Sequence, residues 1–228
     1  NVTFNPATGA NYPEADRTRR VDPRWGRTSM SVHTGESSYH GLQTAFTKRM
    51  SNNWQASATY TLSGLWNQDS YPFTGLTPVP FETQPDLGGE WGLSQDDRRH
   101  RLVVSGIWQV GFGFQVSGLH YFGAGNRLST NFGGDERGFG GGSGRLRRDG
   151  TIVPRNAILG PTENRTSLSL RQRVPLPGRT SLTAIAEVFN LFNQTNYTLG
   201  LQESLPQNYL LPTAGEYRTM QFGFRFTF

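Results

Sequence analysis

The stretch "WQASATYTLSGLW", residues 54–66, decides the fold class of this chain. Trp54, Tyr60, Leu62 and Trp66 stand at its even-numbered positions, whereas its odd-numbered positions are polar except for Leu65. A period of two that persists over a segment of this length predicts a β-strand about twice as long as the mean strand of roughly five or six residues.

The same alternation recurs in stretches along the rest of the chain. These are residues 40–48, 99–110, 114–122, 166–174, 180–192 and 218–228. Together with residues 54–66 they predict seven antiparallel strands. Aromatic and aliphatic side chains occupy most of the even-numbered positions of these stretches, and Gln, Arg, Ser, Thr and Glu occupy most of the odd-numbered ones.

The connections between these strands alternate between short and long. Residues 50–53, 111–113 and 175–179 are short turns, whereas residues 67–97, 123–165 and 193–216 are long segments. Soluble domains rarely tolerate structureless loops longer than about 15 residues. Tight periplasmic turns and long extracellular loops are instead typical of outer-membrane barrels. The sequence therefore predicts an all-β, antiparallel, up-and-down transmembrane barrel segment.

The tryptophans provide a length scale for the predicted membrane span. Trp54 and Trp66 lie twelve residues apart, which corresponds to ~40 Å along a strand and to ~28 Å across a membrane at a tilt near 45°. The apolar band of such barrels is about 25 Å tall and has aromatic residues at both rims. We therefore expect Trp54, Trp66 and Trp108 at the membrane interfaces.

The two faces of the predicted strands carry different side chains. We expect the even-numbered side chains to face lipid and the odd-numbered ones to face a wet lumen. The lumen-facing candidates are Gln43, Gln55, Arg101, Arg171, Glu187, Gln221 and Arg225. Because every backbone polar group must be paired in lipid, seven strands with two free edges are expected to form only part of a barrel.

Four segments of the chain carry a family resemblance. They are "SSYHGLQTAFTKRMSNNWQASATYTLS" (residues 37–63), "DDRRHRLVVSGIW" (96–108), "EVFNLFNQTNY" (187–197) and "MQFGFRFTF" (220–228). Together they resemble the C-terminal barrel region of TonB-dependent outer-membrane receptors, most closely their Oar-like subfamily. Barrels of this family have about 22 strands. The resemblance makes residues 1–38 an extracellular loop and residues 39–228 the last strands of the barrel.

The resemblance also implies a function for the parent protein, which would take up a scarce solute when TonB rearranges its plug domain. The printed sequence contains no plug domain and no TonB box, so contact with the TonB complex is expected through a region that precedes Asn1. Phe224, Phe226 and Phe228 would belong to the signal that the barrel assembly machinery reads. Lipid and lipopolysaccharide are the other expected partners; no enzymatic activity and no cofactor are expected.

Two alternatives from other classes remain open at this point. A passive or structural barrel, such as a porin or an adhesin, would show the same strand pattern without coupling to TonB. A soluble β-sandwich that binds carbohydrate would also alternate with a period of two, but it would stay soluble without detergent.

The basic composition invites a nucleic-acid interpretation, because the net charge is +5 and the isoelectric point is near 9.9. The Gly- and Arg-rich residues 131–150 lack the repeated RGG units of an RNA binder and the strand–loop–helix context of a phosphate loop. We expect a mobile surface loop there, with Arg145, Arg147 and Arg148 available to lipopolysaccharide, and no nucleic-acid partner. Residues 102–126 contain no charged side chain, but their six glycines make a poor spanning helix.

Few side chains suggest a chemical site. The chain contains no Cys, and its histidines, His33, His40, His100 and His120, lack close ligand spacing, so interfacial or loop positions are expected for them rather than a metal site. Glu187 is the clearest inward carboxylate. We expect Arg171 and Arg225 on the strands that flank it, and a structural ion pair rather than catalysis.

Overall fold

A computed structural model of the chain describes residues 35–68, 88–133 and 153–228, together with residues 4, 5, 7, 8, 10, 11, 22, 24, 145 and 151. Its main feature is one antiparallel sheet with seven long strands. We label them β1 (Ser37–Ser51), β2 (Trp54–Asn67), β3 (His100–Gly111), β4 (Phe114–Gly123), β5 (Glu163–Pro175), β6 (Ser181–Phe189) and β7 (Thr219–Thr227).

The strands follow one another as a simple meander. Each strand pairs with its neighbours in sequence, from β1 at one edge to β7 at the other. The predicted seven-stranded, antiparallel, up-and-down arrangement is therefore confirmed. The sheet is not closed, because β1 and β7 do not pair with each other in the described part of the chain.

Some strand bounds differ from the prediction. Strand β1 begins at Ser37, before the expected boundary at residue 39, and β5 begins at Glu163, which pairs with Gly123. Strand β6 ends at Phe189 instead of residue 192, because Asn190 adopts a φ of 54° and turns the backbone out of the sheet. Asparagine tolerates this left-handed conformation better than most residues do.

The short turns have the backbone geometry that tight hairpins require. Asn52 and Asn53, between β1 and β2, have φ values of 51° and 65°. Positive φ at both central residues is typical of a type I′ turn, whose twist matches that of the flanking strands. The turn between β3 and β4 consists of Gly111, Phe112 and Gly113, with φ values of 110°, 50° and 78°.

The long connections contain short regular elements. Gly92–Leu93 pairs with the end of β2, Arg127–Leu128 pairs with Ile158–Leu159, and Tyr197–Leu199 pairs with Pro212–Gly215. Gly88–Glu90 forms a 3-10 helix, and Phe4–Asn5 pairs with Ala10–Asn11. Among the described residues, no helix combines the length and the apolar character that a membrane crossing requires.

Exposed apolar side chains cover one face of the sheet, which we call the apolar face. It carries Leu42, Phe46, Trp54, Tyr60, Leu62, Val104, Trp108, Val110, Leu168, Leu170, Val174, Met220, Phe222, Phe224 and Phe226, each at least 36% exposed. All of these are even-numbered. Among the described residues, the most deeply buried polar side chains instead include Glu90, Ser94, Asp97 and Asn190, which lie in the long connections. In the part of the chain that the structure describes, no second layer packs against the apolar face.

Candidate functional site

The lumen-facing candidates share the opposite face, which we call the polar face. The strand register aligns Gln55, Ile107, Ser117, Ser169, Glu187 and Gln221 in one row across six strands. Gln43 and Arg101 both align with Thr61 in a second row. Arg171 and Arg225 are separated from Ser169 and Gln221 by even numbers of residues, so that they lie on this face as well.

Glu187 is the centre of the polar contacts on this face. The Gln221 amide donates a hydrogen bond to Glu187 Oε2, and Arg171 Nη2 lies 3.7 Å from Glu187 Oε1. Arg171 and Arg225 do occupy the flanking strands, β5 and β7, as expected. Arg225, however, aligns with Thr183, which lies four residues from Glu187 along β6. The structure therefore brings Arg171 and Gln221 to the carboxylate, and not Arg225.

Small hydroxyl side chains line a groove of about 540 Å³ in the middle of the polar face. Ser57, Ser105, Ser117 and Ser169 belong to its lining, and the hydroxyls of Ser57 and Ser105 lie 2.8 Å apart. Apolar side chains also line the groove, among them Ile107, Leu119 and Phe189, and Leu119 and Phe189 are 49% and 41% exposed. Short side chains leave the space in front of the sheet open.

A chain of ion pairs crosses the polar face where the strands meet the long connections. Arg98 Nη1 lies 3.0 Å from Glu163 Oε2, and Arg165 Nη2 lies 3.4 Å from Glu163 Oε1 and 2.5 Å from Glu216 Oε1. Arg98 also donates to the Tyr121 hydroxyl at 3.2 Å. Arg98 and Glu216 come from separate connections, whereas Glu163 and Arg165 share β5, so no common spacing in the sequence indicates the whole group.

A second ionic cluster lies in the connections beyond β2. The carboxylate of Glu90 accepts hydrogen bonds from Arg145 at 2.7 and 3.1 Å, and Arg155 Nε lies 3.8 Å from it. Arg155 also donates to the Asn67 side chain at 2.8 Å and to the Glu90 carbonyl at 3.0 Å. The cluster therefore ties the connection between β2 and β3 and the connection between β4 and β5 to the end of β2.

This cluster corrects the expected role of Arg145. Its side chain is only 18% exposed and is engaged by Glu90 and by the carbonyl of Val153. The expectation that Arg145 is available to lipopolysaccharide in a mobile loop was therefore wrong, because a buried carboxylate with two basic neighbours holds it in the fold. Arg147 and Arg148 lie outside the described residues.

The predicted interface tryptophans lie at opposite ends of the strands. Trp54 and Trp108 are direct cross-strand partners at the turn end, where Lys48 Nζ lies 3.8 Å from the centroid of the Trp54 ring. Trp66 lies at the loop end, close against Gly64, and its ring meets that of His40 edge-on at a centroid distance of 6.3 Å. This is the arrangement expected of side chains at two interfaces.

The described histidines bond to hydroxyl groups rather than to one another. His40 Nε2 pairs with Ser38 at 3.1 Å, and His120 Nδ1 pairs with Thr166 at 2.9 Å. His100 Nδ1 lies 2.8 Å from the hydroxyl of Tyr60. Within the described ranges, no group of three or more acidic or histidine side chains could hold a metal ion. His33 lies outside these ranges.

The C-terminal aromatics remain uncovered on the apolar face. Phe224, Phe226 and Phe228 are 77%, 57% and 93% exposed. The rings of Phe226 and Phe228 stack with their centroids 6.3 Å apart. The predicted signal residues are therefore available to an external partner at the edge strand.

Comparison with known proteins gives one finding about the family. A family model described as an outer membrane beta barrel domain matches residues 1–135, which is more than half of the 228-residue chain. No curated protein matches the chain.

Proposed function

We propose that this chain, which belongs to the family of outer membrane beta barrel domains and lies in the bacterial outer membrane, forms the C-terminal barrel wall of a TonB-dependent receptor. The parent protein takes up a scarce solute, as the resemblance to Oar-like receptors implies. The chain itself performs no chemistry on this solute. It contributes strands of the barrel wall and the long connections at their extracellular end.

The observation that carries this proposal is an open polar face lined by small side chains. Eight-stranded barrels are narrow, and side chains fill their interior or hold one small ligand. The serines that line the groove are too short to fill such an interior, and the seven strands do not close into a barrel within the described part of the chain. Both features support a wide barrel with many more strands, whose lumen holds another element of the protein.

The ion pairs at the loop end of the polar face support a role in binding the solute. The ion pairs of Arg98, Glu163, Arg165 and Glu216 alternate in charge along the rim of the polar face. Partly exposed side chains of both signs suit the recognition of a polar solute at this entrance.

The proposal includes three kinds of partner. TonB would act through a segment outside these strands, and outer-membrane lipid would cover the apolar face. The barrel assembly machinery would recognise the last strand, where Phe224, Phe226 and Phe228 are exposed. Since unpaired strand edges pair readily with other strands, β1 and β7 are the expected joining edges.

The alternative is a passive or structural barrel without TonB coupling, which the strand pattern alone supports equally well. Two measurements on the full-length protein separate the two functions. A receptor is expected to bind the periplasmic domain of TonB and to remain closed in a planar lipid bilayer. A steady open conductance without TonB binding would contradict the receptor function and support a porin.

A further inference from the structure

The loop end of the apolar face carries a group of polar and cationic side chains that an apolar, lipid-facing surface does not require. We call this group the rim cluster. Its members are the even-numbered His40, Tyr60, Trp66, His100 and His120, together with Arg99, which precedes β3 at an odd-numbered position but whose guanidinium reaches the ring of Trp66. Polar groups on the lipid side of a barrel are costly near the middle of the bilayer and are tolerated near the interfaces. Their position next to Trp66 therefore agrees with the level of the lipid headgroups.

Each imidazole in the rim cluster is oriented by one hydroxyl. Tyr60, on β2, orients His100, on β3, through the bond of 2.8 Å, and Thr166, on β5, orients His120, on β4, through the bond of 2.9 Å. Within the described part of the chain, the other ring nitrogen of each has no hydrogen-bond partner. An imidazole that is held at one nitrogen presents the other one to a ligand in a fixed direction.

Arg99 supplies the permanent positive charge of the rim cluster. Its guanidinium lies 5.7 Å from the centroid of the Trp66 ring, and its side chain is 44% exposed. The nearest carboxylate is Asp97, at 4.0 Å, which is buried and already accepts a hydrogen bond from the Leu65 amide. Asp97 therefore neutralises Arg99 only weakly, and most guanidinium donors remain available.

The chemistry of these groups selects an anionic ligand. A guanidinium offers only donors, with a geometry that fits phosphate oxygens, and an imidazole N–H adds a further donor. We propose that the rim cluster binds the phosphate groups of a phosphorylated glycolipid in the outer leaflet, which is lipopolysaccharide. Trp66 contacts the region between acyl chains and headgroups, and Arg99 and the imidazoles contact the phosphates.

The position of the cluster along the strands selects the leaflet. In outer-membrane barrels the long connections are extracellular, so the loop end of the apolar face meets the outer leaflet. Lys48 provides a matched control at the other end, because its ammonium also lies on a tryptophan, Trp54, at 3.8 Å. The two sites therefore pair a cation with an indole at opposite membrane surfaces.

The test measures lipid binding by the full-length protein in detergent. Three lipid probes are compared, namely lipopolysaccharide, enzymatically dephosphorylated lipopolysaccharide and phosphatidylglycerol. Two variants are made separately, Arg99→Gln and the combined change of His40, His100 and His120 to Gln. Each is expected to weaken binding of lipopolysaccharide about fivefold to tenfold, because charge-assisted hydrogen bonds are lost. Lys48→Gln is expected to change it by less than about twofold.

Every other outcome overturns the proposal. Equal losses from Arg99→Gln and Lys48→Gln would show general attraction between a basic protein and an anionic lipid. Undiminished binding of the dephosphorylated lipid would exclude phosphate recognition, and preferential binding of phosphatidylglycerol at Arg99 would place the cluster at the inner leaflet. Heat-modifiable electrophoretic mobility verifies that each variant is folded. The assay requires no transport, so its result is independent of the proposed uptake function.

Discussion

Arg145 holds the carboxylate of Glu90 through two hydrogen bonds of 2.7 and 3.1 Å, although the two residues lie 55 positions apart in the chain. Glu90 is 2% exposed, and Arg155 approaches the same carboxylate. Removal of one member of a buried ionic group leaves the remaining charges without compensation. The stability of the connections that this ionic group joins therefore depends on the carboxylate of Glu90.

We expect Glu90→Gln to release Arg145 and residues 153–156 without preventing barrel assembly. The loss of local stability is expected to be ~3 kcal/mol, because two guanidinium groups lose their buried partner. Hydrogen exchange of these residues in the folded protein measures the change. Asp96→Asn removes an exposed carboxylate from the same connection and serves as the control. Equal exchange in both variants would refute the structural role of Glu90.

Substitution by alanine should change the free energy of unfolding differently at two glycines that have nearly the same φ. Gly113 and Gly178 have φ values of 78° and 77°. A Cβ at Gly113 would lie 2.1 Å from the Arg173 carbonyl oxygen, whereas a Cβ at Gly178 meets no atom within 4 Å. Gly178→Ala should therefore cost only the ~1–2 kcal/mol of a left-handed alanine.

Gly113→Ala should cost more, since β5 must also move away from the turn. Urea unfolding of the protein in lipid vesicles gives both free energies of unfolding. If the two variants unfold at the same urea concentration, the close approach between the turn and β5 is not formed in the membrane.

Neighbouring residues on β7 test which face of the sheet meets lipid. Phe222 is 76% exposed on the apolar face, and Gln221 contacts Glu187 on the polar face. Phe222→Arg is expected to destabilise the barrel by ~2–4 kcal/mol if it lies near the middle of the bilayer, and Gln221→Arg by much less. The assay is equilibrium unfolding from vesicles. A larger effect of Gln221→Arg would reverse the assignment of the faces.

Glu187 distinguishes a structural carboxylate from one that contacts the solute. Glu187→Gln should leave the urea concentration of half-unfolding nearly unchanged, because the contacts to Arg171 and Gln221 lie on an accessible face. Assembly and solute uptake are measured in the same cells, with Gln55→Glu as a control for charge on the same row. Normal assembly combined with lost uptake would contradict the structural role.

The sequence by itself determined the strands, their order and their faces. Alternation in a stretch such as residues 54–66 is a local property, because successive side chains of a strand point to opposite faces whatever the strand packs against. Short turns between neighbouring strands then leave a meander as the simplest topology. The bounds were less accurate where a single backbone angle ends a strand, as at Asn190.

Only the tertiary structure decided which side chains meet in the connections. Glu90 meets Arg145 and Arg155, and Glu163 meets Arg98, across segments that no period relates. Likewise, Gln221 rather than Arg225 reaches Glu187, because the register of β6 and β7 sets their alignment. Register and loop packing depend on contacts between residues distant in the chain, and a local pattern carries no information about such contacts.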